Sequence, residues 1–216
     1  MTELLKKLND YKYLIALISV FNFLLTPLHV GILRVESAYI VVINYTLVIL
    51  ASSLIASNTK TRIRTYLLGI LTLTAIWMEF SHPYSEAIKQ IRLLISFLLF
   101  LYFCVLLVQQ LKTLEGINRQ FIIGPILGFI YLGIIGGILF EGVHFIDPAS
   151  FQIDGSYSGY IFYYFSFISV TTVGYGDITP ITSQAQSVTL TMNIIGQFYL
   201  AIVIAVFVGK YINVKS

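Results

Sequence analysis

Charged side chains in this 216-residue chain fall into short clusters, and the runs between them are apolar and close to the length of a bilayer crossing. A helix needs about 20 mostly apolar residues to traverse the hydrocarbon core. Such runs occur at 13–33, 38–57, 65–80, 93–111, 120–140 and 184–209, and only Glu79 interrupts them with a charge. Six spanning helices are therefore predicted. A shorter apolar run, 156–170, is bounded by turn-forming and acidic residues, which predicts a re-entrant segment rather than a seventh span. With 57% hydrophobic and 11% charged residues and a mean hydropathy of +0.87, the apolar content is more than one soluble core of this length needs. The expected fold class is all-α integral membrane: six transmembrane helices plus a re-entrant helix and an extended loop.

Orientation follows from Lys and Arg in short loops. Lys6, Lys7 and Lys12 precede the first span, Lys60, Arg62 and Arg64 the third, and Lys112 and Arg119 the fifth; Lys210 and Lys215 follow the sixth. With six spans these all lie on one side, so both termini are expected in the cytoplasm and the protein in the plasma membrane. The connection after the fifth span holds Glu141, Asp147, Asp154 and Asp177 with no Lys or Arg, as an external face should. Lys89 and Arg92 are the exception on the outer side. This topology accounts for the net charge of +3, so no nucleic-acid partner is expected. The first apolar run is too long for a signal-peptide core and is read as a retained helix. Cys104, the only cysteine, lies in an apolar span, which excludes an intrachain disulfide.

Two halves differ in character, with a boundary expected near 116/117: a four-helix domain over 1–116 and a two-span domain over 117–216. The fifth span carries Gly124, Gly128, Gly133, Gly136 and Gly137. Spacings of four between Gly124 and Gly128, and between Gly133 and Gly137, allow close helix approach. Glycine is also generally commoner in membrane helices, so both readings stand at this point. Pro27 is expected to kink the first helix and Pro125 to loosen the fifth.

The segment Thr171-Thr172-Val173-Gly174-Tyr175-Gly176-Asp177 breaks helix at membrane depth, where irregular backbone is tolerated only if protein buries it or it lines a watery cavity. A strand whose carbonyls all point one way needs left-handed residues at alternate positions, which glycine adopts without steric cost. Gly174 and Gly176 alternate in this way. The carbonyls of Thr172, Val173, Gly174 and Tyr175, with the Thr172 hydroxyl, are then placed to form stacked oxygen rings.

These residues resemble the selectivity filter of tetrameric potassium channels, where backbone carbonyls replace the ion's hydration shell. The resemblance covers about the last hundred residues: outer helix, pore helix, TTVGYGD and inner helix. It implies a homotetramer around a central pore, with K⁺ as the transported ion held by Thr172, Val173, Gly174 and Tyr175, and no cofactor. It also implies a pore helix over 157–170 whose C-terminal dipole favours a cation in the cavity. Tyr163, Tyr164, Phe165 and Phe167 are expected to wedge the filter, which Thr171 and Gly176 flank. Asp177 has two roles open to it, bracing the loop and concentrating cations at the mouth. The sequence departs from the family in this brace. A Trp-Trp pair common there is Tyr164-Phe165 here, and Ile168 stands where some bacterial relatives have a carboxylic acid. Thr179 replaces an aromatic that favours external tetraethylammonium block, so weak block is expected.

Gly196 falls where the family has its inner-helix hinge, and it serves equally well as a close-packing residue. Gln197, Leu200, Ile204 and Val208, spaced by three or four, share one helical face and are the expected cavity lining, with Ile204 and Val208 as a hydrophobic constriction. Asn193 and Thr189 suit interhelical hydrogen bonds as well as an ion role.

Six spans with the pore in the last two also resemble voltage-gated channels, whose fourth helix carries a cation at every third position. Moving one charge across the field is worth about 2.3 kcal/mol per 100 mV, and steep gating takes roughly three or four per subunit. The fourth segment offers only Lys89 and Arg92, near its outer end, with Glu79 available as a partner. A sensor-like domain without steep voltage dependence is expected. Alternatives are a voltage-gated channel, a subunit gated by an unseen partner or ligand, and a transporter with degenerate filters, which usually carries four filter repeats where this chain has one. His29, His82 and His144 lack metal-binding spacing, and no nucleophile–base set points to an enzyme. Besides its own copies, membrane lipids are the partners expected.

Overall fold

The computed structural model describes the backbone of residues 2–33, 37–56, 58–113, 119–153 and 160–215, and within these the side chains of 11–33, 38–56, 58–110, 119–153 and 160–206. The expected boundary at 116/117, Asp154, residues 157–159 of the expected pore helix, and the side chains of Lys6, Lys7, Lys112, Val208, Lys210 and Lys215 lie outside the described residues.

In chain order the described elements are α1 (Thr2–Leu24), α2 (Thr26–Leu33), α3 (Ser37–Ser53), α4 (Thr59–Ser81), α5 (Glu86–Thr113), α6 (Arg119–Ile146), β1 (Phe151–Ile153), α7 (Ile161–Val170), β2 (Ile178–Pro180) and α8 (Ser183–Lys215). They form two compact units, one of residues 1–114 with Arg119–Leu127 and the other centred on Gly128–Ser216. The division falls within α6, whose first part clusters with the preceding helices.

Among the described residues four helices, α4, α5, α6 and α8, are long and apolar enough to cross a membrane, and α1 with α2 makes a fifth candidate bent by 58°. The bend has a local cause. Pro27 has no N–H to give to Phe23, and the Thr26 hydroxyl donates to the Phe23 carbonyl at 2.6 Å instead. The expected second span is shorter than its apolar run, because α3 stops at Ser53. At a rise of about 1.5 Å per residue it is about 25 Å long, against about 30 Å of hydrocarbon. Three-residue turns end it: Leu54 N–H donates to Ala51 and Ile55 N–H to Ser52. The carbonyl of Ile55 then accepts from Lys12 Nζ at 3.2 Å and Gln110 Nε2 at 2.7 Å.

In the first unit α1 packs on α3, α3 on α4 and α4 on α5. Phe23, Tyr45, Phe100 and Phe103 meet edge to face along its core, with ring centroids 5.4–5.8 Å apart. A polar thread crosses beside them: Asn22 donates to Asn44, which donates to Thr26 at 2.9 Å. Arg92, at the start of α5, is ion-paired with Glu79 of α4. Asn58 begins α4 by accepting the Thr61 N–H at 3.0 Å, an N-cap that sets the start of a helix whose first turns are basic.

In the second unit four glycines of α6 are where side chains of α7 and α8 press on it. A Cβ at Gly133 would lie 2.3 Å from the Phe167 ring, one at Gly136 2.2 Å from the Ser166 hydroxyl, one at Gly137 2.5 Å from the Tyr163 ring, and one at Gly128 2.4 Å from the Tyr199 hydroxyl. Close approach, and not only the general frequency of glycine in membrane helices, thus accounts for these positions. The Ser166 hydroxyl also donates to the Gly133 carbonyl at 2.7 Å, which ties α7 to α6. Gly137→Ala is expected to cost about 1–3 kcal/mol of stability, as overpacking does. Thermal unfolding in detergent measures this, with Gly142→Ala as the control because a Cβ there meets nothing within 4 Å.

A two-stranded antiparallel ribbon joins the chain before α7 to the chain after the TTVGYGD segment, pairing Phe151 with Pro180, Gln152 with Thr179 and Ile153 with Ile178. The sequence did not predict it. Three residues a side are too few for a period-two pattern to show.

Candidate functional site

α7 ends at Val170, and the chain passes through Thr171–Asp177 before entering β2. Among the described residues the positive φ values fall at Thr172 (61°), Gly174 (51°) and Gly176 (83°). Every second residue of the segment is left-handed. The two glycines adopt this without cost, whereas Thr172 bears a Cβ and is destabilised by roughly 1–2 kcal/mol. Its N–H donates to the Ser169 carbonyl at 2.9 Å, and the Gly174 N–H reaches back to the Ile168 carbonyl at 3.0 Å. The base of the segment is therefore held by the last turn of α7.

α8 adds to this hold. With its amide turned to match the surrounding donors and acceptors, Asn193 Nδ2 donates to the Ser169 carbonyl at 3.2 Å and to the Thr189 carbonyl at 3.3 Å. The carbonyl that receives the Thr172 N–H thus also receives a side chain from the following helix. Thr189 bonds within α8, to the Ala185 carbonyl at 2.8 Å. Gly196 lies against the end of α7, where a Cβ would be 3.0 Å from the Val170 carbonyl oxygen and 3.1 Å from its Cβ. That tight contact favours a glycine for packing, and α8 runs through it unbroken from Ser183.

At the far end, the Tyr164 hydroxyl donates to Asp177 Oδ2 at 2.7 Å. Asp177 Oδ1 is buried and has no hydrogen-bond partner among the described residues. β2 starts at the next residue, and its pairing with β1 fixes where this carboxylate sits. Ile168 is buried in an apolar core with Phe140, Phe151, Phe162 and Met192. It supports the segment through its backbone carbonyl, a role its side chain could not have announced. Phe165 belongs to the same core, its ring 4.8 Å from Phe140 and 5.5 Å from Phe151. Tyr163 and Phe167 lie over Gly137 and Gly133. Among the four aromatics expected to wedge the filter, Tyr164 is tied to its outer end through Asp177.

Gln197, Leu200 and Ile204 lie on an exposed face of α8. Val173 and Tyr175 are also exposed, at 52% and 72%. The apolar window of α8 is only 11% buried within the chain, against 67% for α6.

Residues 126–213 match a family model described as ion channel. The matched span takes in most of α6, all of α7, the TTVGYGD segment and nearly all of α8. Together with the apolar helices, this marks the chain as a membrane protein whose C-terminal part is similar to ion-channel domains, a family of channels and not of enzymes. No curated protein matches the chain.

Proposed function

We propose that this protein is a potassium-selective channel that conducts K⁺ passively through a pore formed by four copies. The observation that carries the reading is the alternation of left-handed residues at 172, 174 and 176, set at the end of α7. Alternation turns successive carbonyls of Thr172, Val173, Gly174 and Tyr175 to one side, where they can replace the water around a dehydrated cation. A single strand offers an ion only one wall. Four strands about an axis complete each oxygen ring, and they also give the exposed Val173, Tyr175 and α8 surfaces something to cover them. Thr171, Gly176 and Asp177 hold the ends of the strand, with Tyr164, Phe165 and Ile168 behind it. Gln197, Leu200, Ile204 and Val208 line the cavity below, and Gly196 packs α8 against the end of α7. Six spans, cytoplasmic termini and a plasma-membrane location complete this reading.

Flux of K⁺ against Na⁺ into liposomes containing the purified protein tests it. Barium-sensitive K⁺ flux far above Na⁺ flux is expected, and equal Na⁺ flux overturns the selectivity. External tetraethylammonium is expected to block weakly, because position 179 offers a threonine, paired in the ribbon with Gln152.

Steep voltage dependence is not part of this reading. Arg92 is held by Glu79, and no further cation follows it on α5 through Leu111. Tail currents are expected to show a shallow limiting slope, and a slope of several charges per tetramer would instead establish the voltage-gated alternative.

A further inference from the structure

The first unit contains a crevice of about 710 Å³ that ion conduction does not use. Its size lies within the range of about 300–1,000 Å³ common to small-molecule sites. α1 lines it with Ile15, Ser19 and Asn22, and α4 with Tyr66, Ile70 and Leu73. Each set is spaced by three or four residues, so each forms one stripe of its helix. The C-terminal half of the short helix α3 lies between them. Three polar side chains of the lining are engaged within the unit: Ser19 donates to the Ala16 carbonyl, Ser53 to that of Ile49, and Asn22 to Asn44. What remains for a ligand is hydrocarbon surface with the Tyr66 hydroxyl.

One end of the crevice is cationic. One turn before Tyr66 on the same α4 stripe is Arg62, which is exposed, and one turn before Ile15 on the α1 stripe is Lys12, whose buried ammonium donates to the Ile55 carbonyl. The described carboxylates of this unit do not offset the pair, since Glu79 is at the other end of α4 and Glu86 opens α5. These two cations favour an occupant that combines a hydrocarbon chain with a negative head.

We infer that the crevice holds one anionic phospholipid, its acyl chain along the α1 and α4 stripes and its phosphate at Arg62 beside Lys12. A zwitterionic lipid offers the same chain, but its own cation is repelled by this pair.

Thermal unfolding of the whole chain in detergent tests the site, titrated with dioctanoylphosphatidylglycerol, dioctanoylphosphatidylcholine or glycerol 3-phosphate. The phosphatidylglycerol is expected to raise Tm saturably, the phosphatidylcholine much less and glycerol 3-phosphate not at all. Arg62→Gln is expected to weaken the apparent affinity for phosphatidylglycerol about five-fold, as loss of one cation at a lipid surface does. Arg64→Gln removes the same charge two residues on, where the side chain does not share the face of Arg62, and is expected to leave the affinity unchanged. Ile70→Trp fills the crevice and is expected to abolish the saturable shift; should that variant not fold, the two arginine variants still decide. Equal shifts from both lipids, a shift from glycerol 3-phosphate alone, or equal losses from Arg62→Gln and Arg64→Gln each overturn the site.

Discussion

Gly174→Ala is expected to abolish K⁺ flux in the liposome assay while leaving the protein folded. A Cβ at Gly174 meets nothing within 4 Å in the chain, so the substitution creates no clash there. Its cost is conformational. An L-residue at the φ of 51° that Gly174 adopts is disfavoured by roughly 1–2 kcal/mol. Summed over the four copies of the proposed pore this reaches about 4–8 kcal/mol, roughly a thousandfold or more in the population of the all-left-handed arrangement. The carbonyls on either side of position 174 would rotate off the axis, and two adjacent oxygen rings would be lost together. Val173→Ala is the matched control. It shortens a side chain at the neighbouring position, which is not left-handed, and should retain measurable selective flux. Full flux through Gly174→Ala would show that the handedness of this residue does not set the path of the ion.

Gly174 and Gly176 were legible from sequence because only a special backbone explains two alternating glycines in an apolar chain. Thr172 was not legible as the third left-handed position, since threonine carries no such signal; its conformation comes from hydrogen bonds to the end of α7. Ile168 looked like a gap in the brace, yet its carbonyl takes the Gly174 N–H. Side-chain identity cannot announce a backbone contact of that kind. Asn193 was visible as a polar residue in a membrane helix, but its acceptor lies on another element, and only the fold brings Ser169 to it. The glycines of α6 had two readings until Tyr163, Ser166 and Phe167 were seen against them. At the other end of the chain, hydropathy located α3 but not its end at Ser53. Apolar residues continue through Ala56, and the helix stops where Lys12 and Gln110 reach the Ile55 carbonyl from elsewhere in the fold.

Tyr164→Phe is expected to lower steady-state K⁺ flux at least about ten-fold without unfolding the protein. The substitution keeps the ring and removes one oxygen, so the change is confined to the 2.7 Å bond with Asp177. Hydrogen bonds to charged groups are worth about 1.5–3 kcal/mol, and even the lower figure in one chain corresponds to about ten-fold. The effect should exceed that of a surface bond because Asp177 Oδ1 already lacks a partner among the described residues and is buried. Without the Tyr164 hydroxyl neither carboxylate oxygen has a donor among the described residues, and the group must turn toward water to recover hydration. The ribbon resists that movement at Ile178, which is paired to Ile153, so the strain falls on Gly176 and the adjoining Tyr175 carbonyl. Tyr164→Trp places an N–H donor on a similar aromatic frame and should restore part of the flux. Rescue by Trp with persistent loss in Phe would separate the hydrogen bond from the packing of the ring. Wild-type flux through Tyr164→Phe would mean that the ribbon alone holds the outer end of the filter.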